Sequence, residues 1–108
     1  MKEIRAIIRP NRLEKLRNAL RDLPDFPGLT VLKAEGFTAP SAVHKRTDAE
    51  ELTDYSPKLL VCVLADDAAA AQIQEIIAKQ CSTGQMGDGL VWTLDVGSVT
   101  RIRDSSLL

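Results

Sequence analysis

The chain has 108 residues, a formal net charge of −1 at pH 7 and a pI near 5.8. This length predicts one domain spanning residues 1–108. Aromatic residues make up only 4% of the sequence and there is no basic excess, which argues against a nucleic-acid partner. The longest apolar run, residues 59–65, is too short to span a bilayer, and no signal peptide is visible. We therefore expect a cytoplasmic protein without membrane insertion.

Residues suited to metal binding or catalysis are few. Cys62 and Cys81 do not form a CxxC pair, and His44 is the only histidine in the sequence. We interpret the cysteines as buried or half-buried thiols in a reducing compartment, and His44 as a solvated loop residue. No general base stands beside a nucleophile, so we predict no catalytic residues, no metal site and no enzymatic activity.

The first part of the chain alternates as a strand and then shows helical spacing. Residues 2–9 predict a strand with Ile7 on its otherwise polar face. The opposite, buried face carries Ile4, Ala6 and Ile8. Asn11 and Glu14 have the spacing of a capping box for the helix that follows. One face of this helix is formed by Leu13, Leu16, Leu20 and Leu23.

A second strand is predicted over residues 29–37, followed by a long stretch without periodicity. Residues 38–55 lack both helical and strand spacing, apart from one short helical turn that fits at 48–52. Connections of this length in a small domain are usually functional or disordered. We therefore predict a flexible functional loop at about 38–55.

The second half repeats the strand–helix–strand order. Residues 58–65 are apolar on both faces, as in a strand that is covered on both sides. A helix opens at Asp66 and Asp67, and its apolar stripe consists of Ile73, Ile76, Ile77 and Cys81. Residues 90–96 alternate as a strand, and residues 98–103 predict a last short strand. One face of the 90–96 strand carries Leu90, Trp92, Leu94 and Val96.

The order of elements predicts an α+β fold of the ferredoxin-like, split βαβ (βαββαβ) type, with both helices on one face of an antiparallel sheet. Two helices can cover only one face. Because residues 58–65 are apolar on both sides and Ile7 lies on the uncovered side, we expect other subunits to cover the second face.

Two sequence features suit a phosphate. Residues 83–89, TGQMGDG, contain three glycines that let backbone N–H groups approach an anion, although a purely structural turn is the alternative. The spacing matches neither the P-loop nor the Rossmann motif. Arg101 and Arg103 on one strand face would stand about 7 Å apart and suit neighbouring phosphates. A solvated, charge-protected edge strand is the alternative for that segment.

These segments resemble the PII signalling family over nearly the whole chain. The likeness begins at KEIRAIIRPNRLEKLRNAL, continues through LTVLKAEGF and YSPKLLVCVLADD, and is strongest at STGQMGDGLVW followed by RIR. The resemblance implies a ferredoxin-like homotrimer with three nucleotide sites in the clefts between subunits. It also implies that residues 38–55 are the effector loop, which changes shape with the ligand and docks on a target protein.

The resemblance further implies roles for individual residues. The glycine turn would line the site through Thr83, Gly87, Asp88 and Gly89. The neighbouring subunit would supply Arg101 and Arg103 to the phosphates, and Lys58 would lie near them at the base of the loop. The surroundings of adenine and ribose would be Ile7, Thr30, Gly36 and Leu64.

The sequence also departs from the family pattern. Leu90 stands where the family has a lysine, so the site loses one positive charge and we expect ADP or AMP to compete with ATP. Ala39 and Pro40 replace the glutamine at the start of the loop, which argues against sensing of 2-oxoglutarate. Tyr55 matches the base of the loop and not its modifiable tip, which argues against uridylylation. These departures resemble a divergent branch linked to bicarbonate transport or carboxysomes.

The sequence therefore predicts a non-enzymatic signalling protein that binds ADP, AMP or ATP, with bicarbonate as a candidate co-ligand. Its target would be a membrane transporter or a protein of carbon or nitrogen metabolism, contacted through residues 38–55. Two alternatives remain open at this point. One is a metal-responsive trimer of the CutA-like kind, and the other is a small enzyme that acts on phosphate esters.

Overall fold

A computed structural model of the chain describes residues 1–37 and 55–108. Within these ranges a 3₁₀ turn, Pro10–Arg12, precedes the first helix. The strands are β1 (Lys2–Ile8), β2 (Thr30–Gly36), β3 (Ser56–Ala65) and β4 (Leu90–Asp95). The helices are α1 (Leu13–Arg21) and α2 (Asp67–Cys81). The predicted loop at 38–55, with its helical turn, lies outside the described residues except for Tyr55.

The four strands form one antiparallel sheet in the order β2-β3-β1-β4. The two central strands are therefore the ones that open each half of the chain. α1 and α2 pack against each other, and α2 also packs on β1 and β4. This arrangement confirms the predicted α+β, ferredoxin-like fold.

The core lies between the helices and one face of the sheet. β1 supplies Ile4, Ala6 and Ile8 to it, as the alternation predicted. The predicted helical stripes are also confirmed: Leu16 and Leu20 of α1 and Ile73 and Ile77 of α2 are fully buried. The remaining members of the stripes pack at the margin of this core or within it: Leu13, Leu23, Ile76 and Cys81.

The other face of the sheet carries many apolar side chains, and neither α1 nor α2 covers it. Residues directly opposite each other in an antiparallel pair share a face, and Ile7 pairs with both Leu60 and Leu90. The same face carries Leu32, Cys62, Leu64, Trp92 and Leu94. Leu32 is 50% exposed and Leu90 is 72% exposed. The helices thus cover one face only, and the cover of the second face by other subunits stays a prediction.

The predicted capping box at Asn11 is wrong. Pro10 opens the 3₁₀ turn, so Asn11 lies inside that turn, whereas a capping residue needs extended backbone just before the helix. α1 instead begins after Arg12, whose side chain makes no capping hydrogen bond. In α2 the cap does form, because the Asp66 carboxylate accepts a 2.8 Å hydrogen bond from the N–H of Ala69.

The predicted last strand at 98–103 is also wrong. The tail folds back on itself through a bridge between Thr100 and Leu107, and the Arg101 N–H donates to Ser106 O at 2.8 Å. The reversal is favoured by Asp104, whose carboxylate accepts hydrogen bonds from the N–H and the hydroxyl of Ser106. Because Arg103 lies in this turn, Arg101 and Arg103 do not stand side by side on one strand face.

Gly89 fixes the point at which the chain enters β4 beside β1. Its φ is +102°, and a Cβ there would lie 1.7 Å from the carbonyl oxygen of Ile7. We expect Gly89→Ala to lower the free energy of unfolding by about 3 kcal/mol, measured by urea denaturation at fixed protein concentration.

Substitutions at two other glycines are controls that distinguish the cost of a positive φ from the cost of a steric clash. Gly28 has a φ of +101° but open space around it, so Gly28→Ala should cost about 1–2 kcal/mol. Gly97 has neither feature, and Gly97→Ala should stay within about 0.5 kcal/mol of the parent chain. The account is wrong if the Gly89 variant is as stable as the Gly28 variant.

Candidate functional site

A cavity of about 360 Å³ lies at the end of the sheet where β1 and β2 end and β3 and β4 begin. Its lining combines two kinds of surface. Ile7, Phe37 and Leu90 make one part apolar, while Lys58 and the backbone of the glycine turn make the other polar. Gly36, Gly87 and Gly89 complete the lining. Such a cavity suits a ligand with an apolar ring and an anionic group.

The glycine turn is closed on the carboxylate of Asp88. This carboxylate accepts hydrogen bonds from the N–H of Thr83 at 2.7 Å, from the Thr83 hydroxyl and from the N–H of Gly84 at 3.0 Å. Arg9 Nε adds a charged contact at 3.1 Å. Chiefly the two bonds from Thr83 hold the pKa of Asp88 well below its usual range. Asp88 therefore organises the turn as an anion and does not line the cavity.

Two cations hold the turn against the sheet. Arg9 Nη2 donates to Met86 O at 2.8 Å, and Lys58 Nζ donates to Gly87 O at 2.6 Å. Both groups border Gly87, since a Cβ there would lie 3.3 Å from Arg9 Nη2 and 3.7 Å from Lys58 Nζ. Burial lowers the pKa of Lys58, the positive charge of Arg9 lowers it further, and Asp88 raises it.

Arg9 is a site residue that sequence reasoning missed. It follows β1 directly and looked like one more polar residue of an alternating strand. The signal that could have found it is the register of β1 against β4, which places Ile7 opposite Leu90 and so brings the end of β1 to the glycine turn. Phe37 was also missed; its ring lies 5.8 Å from that of Tyr55 between centroids.

The structure brings together about half of the predicted site residues. Five line the cavity: Ile7, Gly36, Lys58, Gly87 and Gly89. Thr83 and Asp88 lie in the turn next to it. Thr30 and Leu64 lie farther along the sheet, opposite Cys62 and Glu3 respectively. Because Leu64 is six residues beyond Lys58 in β3, about 20 Å separates these two positions.

Arg101 and Arg103 are also outside this cavity of their own chain. β4 runs from Leu90 beside the cavity to Asp95, which pairs with Lys2 at the opposite end of the sheet. The tail with both arginines starts from that far end. Both side chains are exposed, and Arg103 makes a loose 3.8 Å ion pair with its neighbour Asp104.

Within residues 1–37 and 55–108, no group of three or more His, Cys, Asp or Glu side chains could hold a metal ion. Cys62 is half-buried, Cys81 is buried, and both are free thiols, while His44 lies outside the described residues. In the same part of the chain, no helix is long and apolar enough to cross a membrane.

The fold and the site define a small α+β protein in which a glycine turn, closed on the carboxylate of Asp88, borders a cavity at one end of the sheet. Residues 1–106 match the model of the family described as nitrogen regulatory protein P-II. The chain is 36% identical over 104 residues to the nitrogen regulatory protein P-II of Rhizobium meliloti, covering 95% of this chain and 92% of the relative.

Two further relatives agree. The nitrogen regulatory protein P-II of Porphyra purpurea is 36% identical over 108 residues, covering 99% of this chain and 96% of the relative. The nitrogen regulatory protein P-II 1 of Escherichia coli K12 is 33% identical over 104 residues, covering 95% and 92%. This chain therefore belongs to the P-II family, as the resemblance implied, and by class it is a signal-transducing regulator.

The lowered pKa of Asp88 predicts how stability depends on pH. A depressed carboxyl pKa stabilises the folded chain above the unfolded value of about 3.9, and this stabilisation is lost as the pH falls below that value. Asp88→Asn should therefore unfold more easily than the parent chain at neutral pH, and the difference should narrow toward about pH 3. Urea denaturation across this range measures it.

Asp22→Asn is the control, because Asp22 is exposed at the carboxyl end of α1. The free energy of unfolding of Asp22→Asn should differ little from that of the parent chain at neutral pH, and this difference should change little on acidification. A constant difference for Asp88→Asn at every pH would show that the carboxylate does not organise the turn through its charge.

Proposed function

We propose that this protein is a non-enzymatic cytoplasmic regulator that binds ADP, AMP or ATP at clefts between the subunits of a homotrimer. The observation that carries the proposal is the two-part cavity at the sheet edge. Lys58 and the glycine turn would receive phosphate, while Ile7, Phe37 and Leu90 offer apolar surface to the base. Family membership supports the regulatory role.

The second half of the site would come from a neighbouring subunit. Thr30, Leu64, Arg101 and Arg103 do not line the cavity of their own chain, although the resemblance implies that they meet the nucleotide. Thr30 and Leu64 belong to the sheet face without helices, which is the face expected to pack on other copies. A neighbour seated on that face could present these residues, and the arginines of its tail, to the cavity.

The lining also bears on the choice of nucleotide. Leu90 is 72% exposed at the cavity and offers no charge, so the phosphates would rely on Lys58, Arg9 and the arginines of the neighbour. With one cation fewer than the family pattern, the advantage of a third phosphate shrinks, and ADP or AMP would compete with ATP. Bicarbonate is the proposed co-ligand.

The signal would reach a target protein, such as a transporter or a protein of carbon or nitrogen metabolism, through the segment at 38–55. This segment leaves the sheet next to Phe37 and returns at Tyr55, so both of its ends border the site. A nucleotide can change the target's affinity only by binding more tightly to one state of the protein than to another.

Isothermal titration calorimetry tests the nucleotide site. We expect micromolar binding of adenine nucleotides to the parent chain, and binding about tenfold weaker or more in Lys58→Met and in Arg101→Ala/Arg103→Ala, because each removes a charge-assisted contact to phosphate. Arg17→Ala is the matched control, since Arg17 is exposed on α1. Equal affinity in the parent chain and both site variants would overturn the proposed site.

Mixed trimers test whether the cleft is shared. Chains carrying Lys58→Met are co-assembled with chains carrying Arg101→Ala/Arg103→Ala, so no single chain holds both halves of the site. If the halves come from adjacent subunits, every mixed trimer regains a single intact cleft, and calorimetry should detect tight sites in the mixture that neither parent variant shows. If both halves belong to the same chain, mixing restores nothing.

A further inference from the structure

One ion pair lies on the sheet face that α1 and α2 leave uncovered. Arg5 Nε donates a hydrogen bond to Glu3 Oε1 at 2.7 Å, and the spacing of two residues puts both side chains on the same face of β1. The residues opposite these two in β3 and β4 carry no charge: Cys62, Leu64, Trp92 and Leu94. Two opposite charges are therefore set within a largely apolar surface.

The apolar side chains around this pair are partly exposed. Leu64 and Leu94, the two leucines opposite Glu3, are 38% and 39% exposed. Of the strand residues that the structure describes on this face, only Lys58 is also charged, and its amine donates to Gly87 O at the end of the sheet. A contiguous exposed apolar surface marks an interaction site. A partner seated over β1 would therefore meet two charges, Glu3 and Arg5.

Covering this face would take both charges out of water. In the single chain the Glu3 side chain is 21% exposed and the Arg5 side chain is 44% exposed. A solvated pair contributes little to stability, whereas in a buried pair further hydrogen bonds must offset the loss of hydration. Both groups can form such bonds, because a guanidinium has five N–H donors and a carboxylate accepts several bonds. Among the contacts of the described residues, one bond joins the pair.

We propose that Glu3 and Arg5 determine which chains can assemble with this one. A second copy related by rotation presents the same two charges, so Glu3 of one copy can pair with Arg5 of the next. A chain of the same fold with the opposite order of charges would instead bring like charges together in a desolvated contact, and specific interfaces exclude wrong partners in this way. The inference rests on the proposed homotrimer. The partner that this face accepts is a second copy of the same chain.

Exchange of the two charges tests the proposal. Glu3→Arg/Arg5→Glu, the swapped chain, keeps the composition and the pair within the chain, so it should assemble with itself as the parent chain does. In a mixed assembly, however, each carboxylate would meet a carboxylate and each guanidinium a guanidinium. The parent chain is labelled with ¹⁵N, and equal amounts of the two chains are unfolded in urea and refolded together. Native mass spectrometry then counts the pure and the mixed trimers.

The expected result is a deficit of mixed trimers. Random combination of two chains in equal amounts puts about three quarters of all trimers in the mixed classes. We expect mixed trimers of the parent and swapped chains about tenfold or more below that level. The matched control is Lys33→Glu/Glu35→Lys, which exchanges two exposed charges of β2 on the other face of the sheet, opposite Leu59 and Pro57. This control chain should mix with the parent chain at the random level.

A neutral variant separates charge from shape. Glu3→Gln/Arg5→Gln removes the like charges, so it should mix with the parent chain about fivefold more than the swapped chain does. Equal exclusion of the neutral and swapped chains overturns the proposal. So does a swapped chain that fails to assemble by itself, because a reversed pair is as self-complementary as the original. A monomeric parent chain would overturn the proposed homotrimer together with this inference, whereas a trimeric parent chain that mixes freely with the swapped chain overturns this inference alone.

Discussion

The carboxylate of Asp88 is the point on which the site depends. Glycine-rich backbone is flexible by itself. The turn at 83–89 has a defined shape because the Asp88 carboxylate accepts hydrogen bonds from the N–H groups of Thr83 and Gly84, from the Thr83 hydroxyl and from the guanidinium of Arg9. Since Arg9 follows β1 directly, the same carboxylate also ties the turn to the sheet. The backbone of the turn is therefore positioned before any ligand arrives.

The way in which Lys58 is held follows from this arrangement. The closed turn presents the carbonyl of Gly87 to Lys58 Nζ, and the absence of a side chain at Gly87 leaves room for both Arg9 and Lys58 beside it. Lys58 consequently lines two cavities, both of mixed apolar and polar character.

The sheet gives the molecule two unlike surfaces. On one face, α1 and α2 cover the side chains of β1 and β3, which form the core together with the apolar residues of the helices. The opposite face presents leucines and Trp92, which neither α1 nor α2 covers, and Leu32 is half exposed. Thr30 and Leu64 lie on this second face and away from the cavity. In the proposed function, a neighbouring copy would bring its own Thr30 and Leu64 to the cavity.

How far the sequence reached can be argued from particular elements. Helical stripes and strand alternation depend on spacing along the chain, so the core faces of α1, α2 and β1 followed from the residues alone. The glycine turn was also visible, because three glycines in seven residues disfavour both a helix and a strand there. Two predictions were wrong because adjacent residues change the course of the backbone. Pro10 places Asn11 in a 3₁₀ turn and not at a helix cap, and the contacts of Asp104 with Ser106 favour a chain reversal in place of the last strand.

The sequence by itself thus determined the four strands and two helices, their order, the faces that form the core, and the family. Only the tertiary structure decided that Arg9 reaches the glycine turn, that Lys58 is buried and lines two cavities, and that the segment carrying Arg101 starts from the far end of the sheet. The physical reason is that periodicity records which side of an element is apolar. The meeting of distant charges depends on strand register and on how far each chain segment runs, and these emerge only when the sheet is assembled.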